Sequence, residues 1–319
     1  MPKKSNVIQS RLLIKVSSLY YLQSLNQQEI SDRLGISRTM VSRLLKQARD
    51  AGIVQIKVLP SAGNHVDIEH ELENRFGLDE VIIIEPDLPE SQDFTSQQVG
   101  TAAAEYLMRT IKRNDIIGIA WGTTIRWLVN AVHPITTENA HVVQILGGLG
   151  TPEAEEYPAT IGSRLARLLD CPFTILPSPG VAGSKESKGA YLSDKNVQKA
   201  FELIREVNVA YVGIGSMTNQ SITMQNSILA PTDRDYLISK GAVGDIGLRF
   251  FDIFGNPVNS NFDERVIGVT LDQLKNIRHV VGMAGGPEKY KAVLGVLRGK
   301  YLNVLITDSV LAKKLMKAD

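Results

Sequence analysis

The sequence predicts two parts of different class. A short N-terminal all-α module carries a (winged) helix-turn-helix, and a longer α/β domain built on a parallel sheet follows. Three observations predict this. Residues 26–52 read as two short helices around a tight turn. Beyond residue 67, short apolar runs alternate with segments of helical period. Charge divides the same way: residues 1–60 hold ten Lys/Arg and three Asp/Glu, net +7, and the rest holds 25 and 31, net −6, which leaves +1 overall. That asymmetry suits a basic, nucleic-acid-facing module on an acidic body.

Composition narrows the classes. With 43% hydrophobic and 22% charged residues, the chain of 319 can bury a sizeable core. Cys171 is the only cysteine, so neither a disulfide framework nor a Cys-based zinc site is expected. The five histidines fall at no metal-ligand spacing, and His133, His141 and His279 read as packing or surface groups. No cofactor or metal is expected. No apolar run approaches the roughly 18 residues of a membrane span. The basic N-terminus lacks the long apolar core of a signal peptide. A soluble cytoplasmic protein, with no membrane partner, is the expectation.

Residues 7–23 place Ile8, Leu12, Val16, Leu19 and Tyr20 at helical spacing, giving one buried stripe. Asn26 can cap the next helix, with Glu29 reaching back three residues on. Gly35 sits where a left-handed turn residue is wanted, and Ser37 can cap the third helix. On that helix Val41, Leu44, Leu45 and Ala48 form the apolar stripe, with polar and basic residues opposite. Arg pairs bidentately with guanine, and Ser and Thr reach bases or phosphates. The candidate DNA contacts are therefore Gln27, Gln28, Ser37, Arg38, Thr39, Ser42, Arg43 and Lys46. The plain alternative is a solvated helix face. Cap, turn and basic face occurring together at this spacing favour the groove reading. Gly52 ends the helix, and residues 53–58 alternate like the strand of a wing. The boundaries expected are a helix-turn-helix domain over 1–59, a linker over 60–66 and an α/β domain over 67–319.

Within the body, buried strands are predicted over 81–84, 116–120, 142–146, 173–176, 209–214, 279–284 and 303–306. Helices are predicted over 67–76, 99–111, 127–132, 160–169, 197–207 and 288–297. In open parallel sheets ligands sit beyond the C-terminal strand ends, which selects the Gly-rich loops there. Gly122, Thr123 and Thr124 precede a helix whose free backbone N–H groups suit an anion. Gly147, Gly148 and Gly150 form a second loop. Lys289 falls in a helix's first turn, where a cation opposes the dipole and so fits an anion contact. Asp245 can accept from sugar hydroxyls and Arg249 can meet a phosphate. Their structural alternatives are a helix cap and a surface ion pair. No Ser/His/Asp spacing, GxxxxGK[ST] or strand-linked GxGxxG is present. An enzyme would need a positioned acid/base pair, and Asp245 has no evident His or Glu partner in these loops.

The blocks ISDRLGISRTMVSRLLKQARDAGIVQI, IIGIAWGTT, ILGGLG, AYVGIGS, AVGDIGLRFFD, RVIGVTLDQL, VVGMAGGPEKY and YLNVLITD run in order over nearly the whole chain. Together they resemble the SorC family of sugar-binding transcriptional regulators. The resemblance implies a helix-turn-helix joined to an effector domain similar in fold to sugar-phosphate isomerases and deaminases. It implies operator double-stranded DNA and a small phosphorylated sugar as partners, and a homo-oligomer, typically a tetramer (dimer of dimers). Gly122, Thr123 and Thr124 would hold phosphate, the Gly147–Gly150 loop would border the ligand, and Asp245 and Lys289 would lie beside it. A non-enzymatic regulator of a carbohydrate operon, more a repressor than an activator, is the expectation. Two departures stand out. Some members carry Arg or Lys before the Gly-Gly pair, contacting phosphate or linking covalently to an aldehyde; Leu146 here argues against such a link. Tyr157, Pro158, Ala159 and Thr160 stand where some relatives offer Gln and Asn, which leaves the sugar open.

Overall fold

The computed structural model describes residues 4–56, 65–148, 158–218 and 228–318. The chain divides into two compact units, Met1–Ala62 and Gly63–Asp319.

In the first unit, α1 (Lys4–Ser17) is continued by a wide π-type turn, Ser18–Leu22. The second helix, α2, spans Gln27–Leu34, and α3 spans Arg38–Asp50. Leu13, Val16 and Leu19 pack with Ile30, Val41, Leu44, Leu45 and Ala48 into one small core. The caps are those the sequence predicts. Asn26 Oδ1 accepts from the N–H groups of Gln28 and Glu29, and Glu29 Oε2 accepts from Asn26 N–H at 2.7 Å. Gly35 turns the chain at φ 63°, and Ser37 Oγ accepts from Met40 N–H. Asn26→Ala is expected to remove about 1 kcal/mol of local stability. Native-state exchange of the α2 amides should then be roughly fivefold faster; unchanged rates would mean the box contributes nothing. The predicted wing is not formed by Ile53–Ile56, which follow a bend and unassigned backbone, and Lys57 and Val58 lie outside the described residues. Most of the expected 60–66 linker also lies outside them; Val66 already begins a helix.

Seven parallel strands make the core of the second unit: β1 (Glu80–Ile84), β2 (Ile116–Ile119), β3 (His141–Gln144), β4 (Phe173–Thr174), β5 (Val209–Gly213), β9 (His279–Met283) and β10 (Val304–Asp308). Their order is β1-β10-β9-β5-β2-β3-β4. Both faces are covered, which explains why the strands read as unbroken apolar runs. On β9, Val280 packs into one core while Val281 and Met283 pack into the other. On β5, Ala210 and Val212 face the first core and Tyr211 the second. A separate antiparallel sheet joins β6 (Gly215–Ser216), β7 (Ala242–Ile246) and β8 (Arg249–Asp252). Sequence reading saw 244–252 only as charges beside an apolar segment. The observed helices Lys185–Ser193, Pro231–Ser239, Leu271–Lys275 and Ser309–Leu315 also went unpredicted. The first of these buries no residue, so it carries no apolar stripe to read.

The topology places the site. From β2 the chain winds outward through β3 to β4, then returns to β5 on the other side of β2 and winds through β9 and β10. Loops leaving β2 and β5 therefore diverge to opposite faces, and a crevice opens at their C-terminal ends.

Candidate functional site

A cavity of about 640 Å³ occupies that crevice. The loops after β2, β5 and β9 line it, together with the start of helix Gln92–Thr110 and Asp245 of β7. Of the residues singled out from sequence, Gly122, Thr123, Thr124, Asp245 and Lys289 meet here.

The floor on the β2 side is the start of helix Thr123–Ala131. Gly122 occupies the cap position at φ 129°, a conformation closed to most side chains, and it brings no side-chain capping hydrogen bond. The positive end of the helix dipole thus points at the cavity.

Opposite lie acid and base. Asp245 is 5% exposed; its Oδ2 accepts from Leu248 N–H at 3.0 Å, and its Oδ1 has no partner among the described residues. Burial pushes its carboxyl up to about 6, against the Leu248 bond and the charge of Lys289. Gly215 lies directly across the β6–β7 ladder, and a Cβ there would overlap the Asp245 carboxylate. Only glycine lets that group lie flat against β6. The half-buried Lys289 ammonium donates to Ile214 O at 3.0 Å. Burial drives its pKa below the ordinary range, with Asp245 and Glu288 pulling it back. Glu288 lines the same cavity, and its buried Oε1 has no partner among the described residues. Asp245, Glu288 and Lys289 thus bring two buried, unpaired carboxylate oxygens and one amine to the lining of a single cavity.

The loop after β9 is held from outside. Asp308 Oδ2 accepts from Gly286 N–H at 2.6 Å, while its Oδ1 caps helix Ser309–Leu315. Gln92 Nε2 donates to Gly285 O at 2.9 Å. Sequence reading missed Gln92, Asp93, Ser96 and Glu288, all of which line the cavity. Glu288 was legible in the Gly-rich loop itself; Gln92, Asp93 and Ser96 follow β1, whose loop carries no glycine signal.

Three expectations need correction. Lys289 ends the 3₁₀ turn Pro287–Lys289 and precedes helix Tyr290–Gly299, so it is not in that helix's first turn. Arg249 does not line this cavity. Its guanidinium is 6% exposed and its donors go to the carbonyls of Val269, Asp263, Val266 and Gly268 and to Asp263 Oδ1. Gly147 and Gly148 do not line it either: Gly147 N–H donates to Ile267 O, Gly148 N–H to Ser178 O, and Gly180 N–H to Gly148 O. A Cβ on Gly147 would collide with the Pro179 backbone, so that glycine serves packing. Gly150 and Tyr157 lie outside the described residues.

On the N-terminal unit, Arg38, Thr39, Ser42, Arg43 and Lys46 are exposed along one side of α3. Thr39 Oγ1 lies 3.0 Å from the capping Ser37 Oγ, and Arg43 Nη2 contacts Met40 Sδ at 2.9 Å. Gln28 Nε2 donates to Asp32 at 2.9 Å and Gln27 is half-buried, so α2 offers less free polar surface than α3.

Comparison with known proteins agrees with both halves. The family model described as "Putative sugar-binding domain" matches residues 61–317, and the model for sigma-70 region 4 matches residues 15–51, enclosing α2 and α3. The deoxyribonucleoside regulator of Bacillus subtilis is 32% identical over 306 residues, covering 96% of this chain and 97% of its own. The sorbitol operon regulator of Klebsiella pneumoniae is 31% identical over 311 residues, covering 96% and 98%. The crystal structure of full-length SorC from that organism superposes with a TM-score of 0.74 at 30% identity, over 96% of this chain and 99% of that one. Helix-turn-helix, doubly covered parallel sheet and switch-point cavity thus occur in one chain, which belongs to the SorC family of sugar-binding transcriptional regulators.

Proposed function

We propose that this regulator is a repressor of a carbohydrate operon, and that a phosphorylated sugar in the switch-point cavity controls its hold on operator DNA. One observation carries the effector reading. A helix N-terminus with no side-chain cap and Asp245, which keeps one carboxylate oxygen unpaired among the described residues, line the same metabolite-sized cavity, an anion site at one side and a hydroxyl acceptor at the other. Gly122, Thr123 and Thr124 take the phosphate; Asp245, Glu288 and Lys289 meet the hydroxylated end. The ligand acts by having different affinity for the DNA-competent and DNA-incompetent states. Homo-oligomers, in the expected arrangement tetramers, present paired copies of α3 to operator half-sites.

A thermal-shift screen of phosphorylated sugars and polyols on the full chain tests the effector arm, since a ligand of the folded state must raise Tm. Lys289→Ala is expected to weaken the best hit about tenfold or more while operator affinity without effector stays unchanged. Equal loss of both would assign Lys289 to folding. On the DNA arm, Arg43→Ala is expected to cost about 1–3 kcal/mol of operator affinity. The measurement is anisotropy of a labelled operator duplex at several salt concentrations. Unchanged affinity and salt slope would remove α3 from the groove.

Asp245 and Lys289, shifted toward each other's protonation range, favour a second reading: turnover of the bound sugar phosphate. Purified protein converting any hit of the screen would establish it.

A further inference from the structure

Arg249 faces a different cavity, about 500 Å³ in volume, between helices Lys185–Ser193 and Lys195–Arg205 and the 267–273 segment. It shares no lining residue with the switch-point cavity. Three cations line it, Lys188, Arg205 and Arg249, against one carboxylate, the exposed Glu202, a net of +2.

Nearby acids are already engaged. Glu264 pairs with Lys185 at 2.7 Å and Asp263 with Arg249 at 2.8 Å. Lys188 is half-buried, and its ammonium has neither a hydrogen bond nor an ion pair among the described residues, only its backbone N–H donating, to Ser184 O. Arg249 contributes charge and no free donor, because five hydrogen bonds use its guanidinium. Gln273 uses its Oε1 to accept from Thr270 N–H, which leaves its amide N–H groups for the cavity it lines. A half-buried ammonium beside a guanidinium, with only the exposed Glu202 carboxylate to offset them in the lining, is a costly arrangement unless an anion joins it.

We propose that this second cavity binds a small metabolite through an oxyanion group, a phosphate or a carboxylate, held by Lys188 with Gln198 and Gln273 and favoured by the charges of Arg249 and Arg205. Half-buried Phe201 and buried Ile267 form an apolar wall that the ligand's carbon skeleton covers. The volume lies within the range of metabolite pockets. Burial and then the Arg249 charge hold the Lys188 pKa below its ordinary range; Asp263 and Glu264 raise it and Lys185 lowers it. An oxyanion favours the charged ammonium, so its binding weakens as pH rises through the Lys188 pKa. The site adjoins the first one through the chain: Arg249 opposes Ile246 on the β7–β8 hairpin, next to Asp245.

The test is calorimetric titration of the full chain with inorganic phosphate and, separately, with citrate. Thr124→Glu, which puts a carboxylate where the first cavity would take its phosphate, is used to silence that cavity. In that background a binding event should remain, and adding Lys188→Gln should weaken it at least tenfold. A response to phosphate alone assigns a phosphate ester, and a response to citrate alone assigns a carboxylate. Gln273→Glu keeps the capping acceptor and adds a repelling charge; it should weaken the same event even if Lys188→Gln fails to fold. No remaining event, or one that both variants leave unchanged, overturns the proposal. So does a drop in oligomer mass by light scattering with probe binding unaltered, which would put a carboxylate of a second copy on Lys188.

Discussion

Replacing Arg249 with methionine is expected to cost about 3 kcal/mol of stability or more, since each buried acceptor left without its donor costs about 1–3 kcal/mol. The side chain is nearly unexposed, and its five bonds tie β8 to four carbonyls of the 263–269 segment. Methionine keeps most of the buried stem and removes every donor. Those carbonyls then lose a charge-assisted donor in a place where water has little access. Asp263 is 35% exposed and can turn to solvent, so the loss falls mainly on the carbonyls. The measurement is the urea midpoint of the C-terminal unit in the full chain. Arg249→Lys should recover only part of the loss, because one ammonium cannot reach four carbonyls spread around a planar fork. If Arg249→Met folds with native stability and instead loses effector affinity, the sequence reading of Arg249 as a phosphate contact was right after all.

Arg249 also shows where sequence reading fails. An Arg following a Gly-Asp pair in a glycine-rich run looks the same whether its fork meets a phosphate or a set of carbonyls. The choice depends on the 263–269 segment, far enough along the chain that no local pattern reports it. Gly147 and Gly148 mislead for a related reason. Glycine marks close approach without naming the group approached, and here that group is the Pro179 backbone. The legible features are those whose cause is local. Asn26 and Glu29 satisfy each other within one turn, and Gly35 is a single backbone angle. The sheet strands read correctly because burial on both faces leaves unbroken apolar runs, a property of each strand alone. Gly122 to Thr124 were found because a strand end, a glycine and a helix start are consecutive in sequence. The β6–β7–β8 sheet was missed because β6 has two residues and β7 carries Gly and Asp among its apolar positions. Helix Lys185–Ser193 was missed because it buries nothing.

The Asp245 carboxylate costs the fold stability and should serve binding in return. In the unfolded chain it titrates near the ordinary 3.8, and in the folded protein near about 6. Between those values the folded state holds a proton that the unfolded state has lost. Stability therefore falls as pH rises through that window, and the full penalty, about 3 kcal/mol, persists above it. Asp245→Asn removes the charge and keeps the shape. The amide oxygen can still accept from Leu248 N–H, and the amide nitrogen takes the place of the orphaned Oδ1. The variant is expected to melt higher than native protein at pH 7, and the gain should shrink as pH falls from about 6 and be gone below about 4, where native Asp245 is protonated in both states. Effector binding should move the other way. A ligand hydroxyl donating to Oδ1 stabilises the ionised form, so native affinity tightens as pH rises through about 6 and a proton is released on binding there. Asparagine offers a donor where the hydroxyl needs an acceptor, so Asp245→Asn should weaken the effector by about tenfold or more and flatten the pH profile. A variant that melts higher and still binds effector with the native pH profile would show that Asp245 shapes the cavity and does not touch the ligand. Loss of stability on Asp245→Asn would mean that Lys289 and Leu248 depend on the charge more than burial penalises it. The acceptor that destabilises the empty protein is, on this reading, what the effector is needed to satisfy.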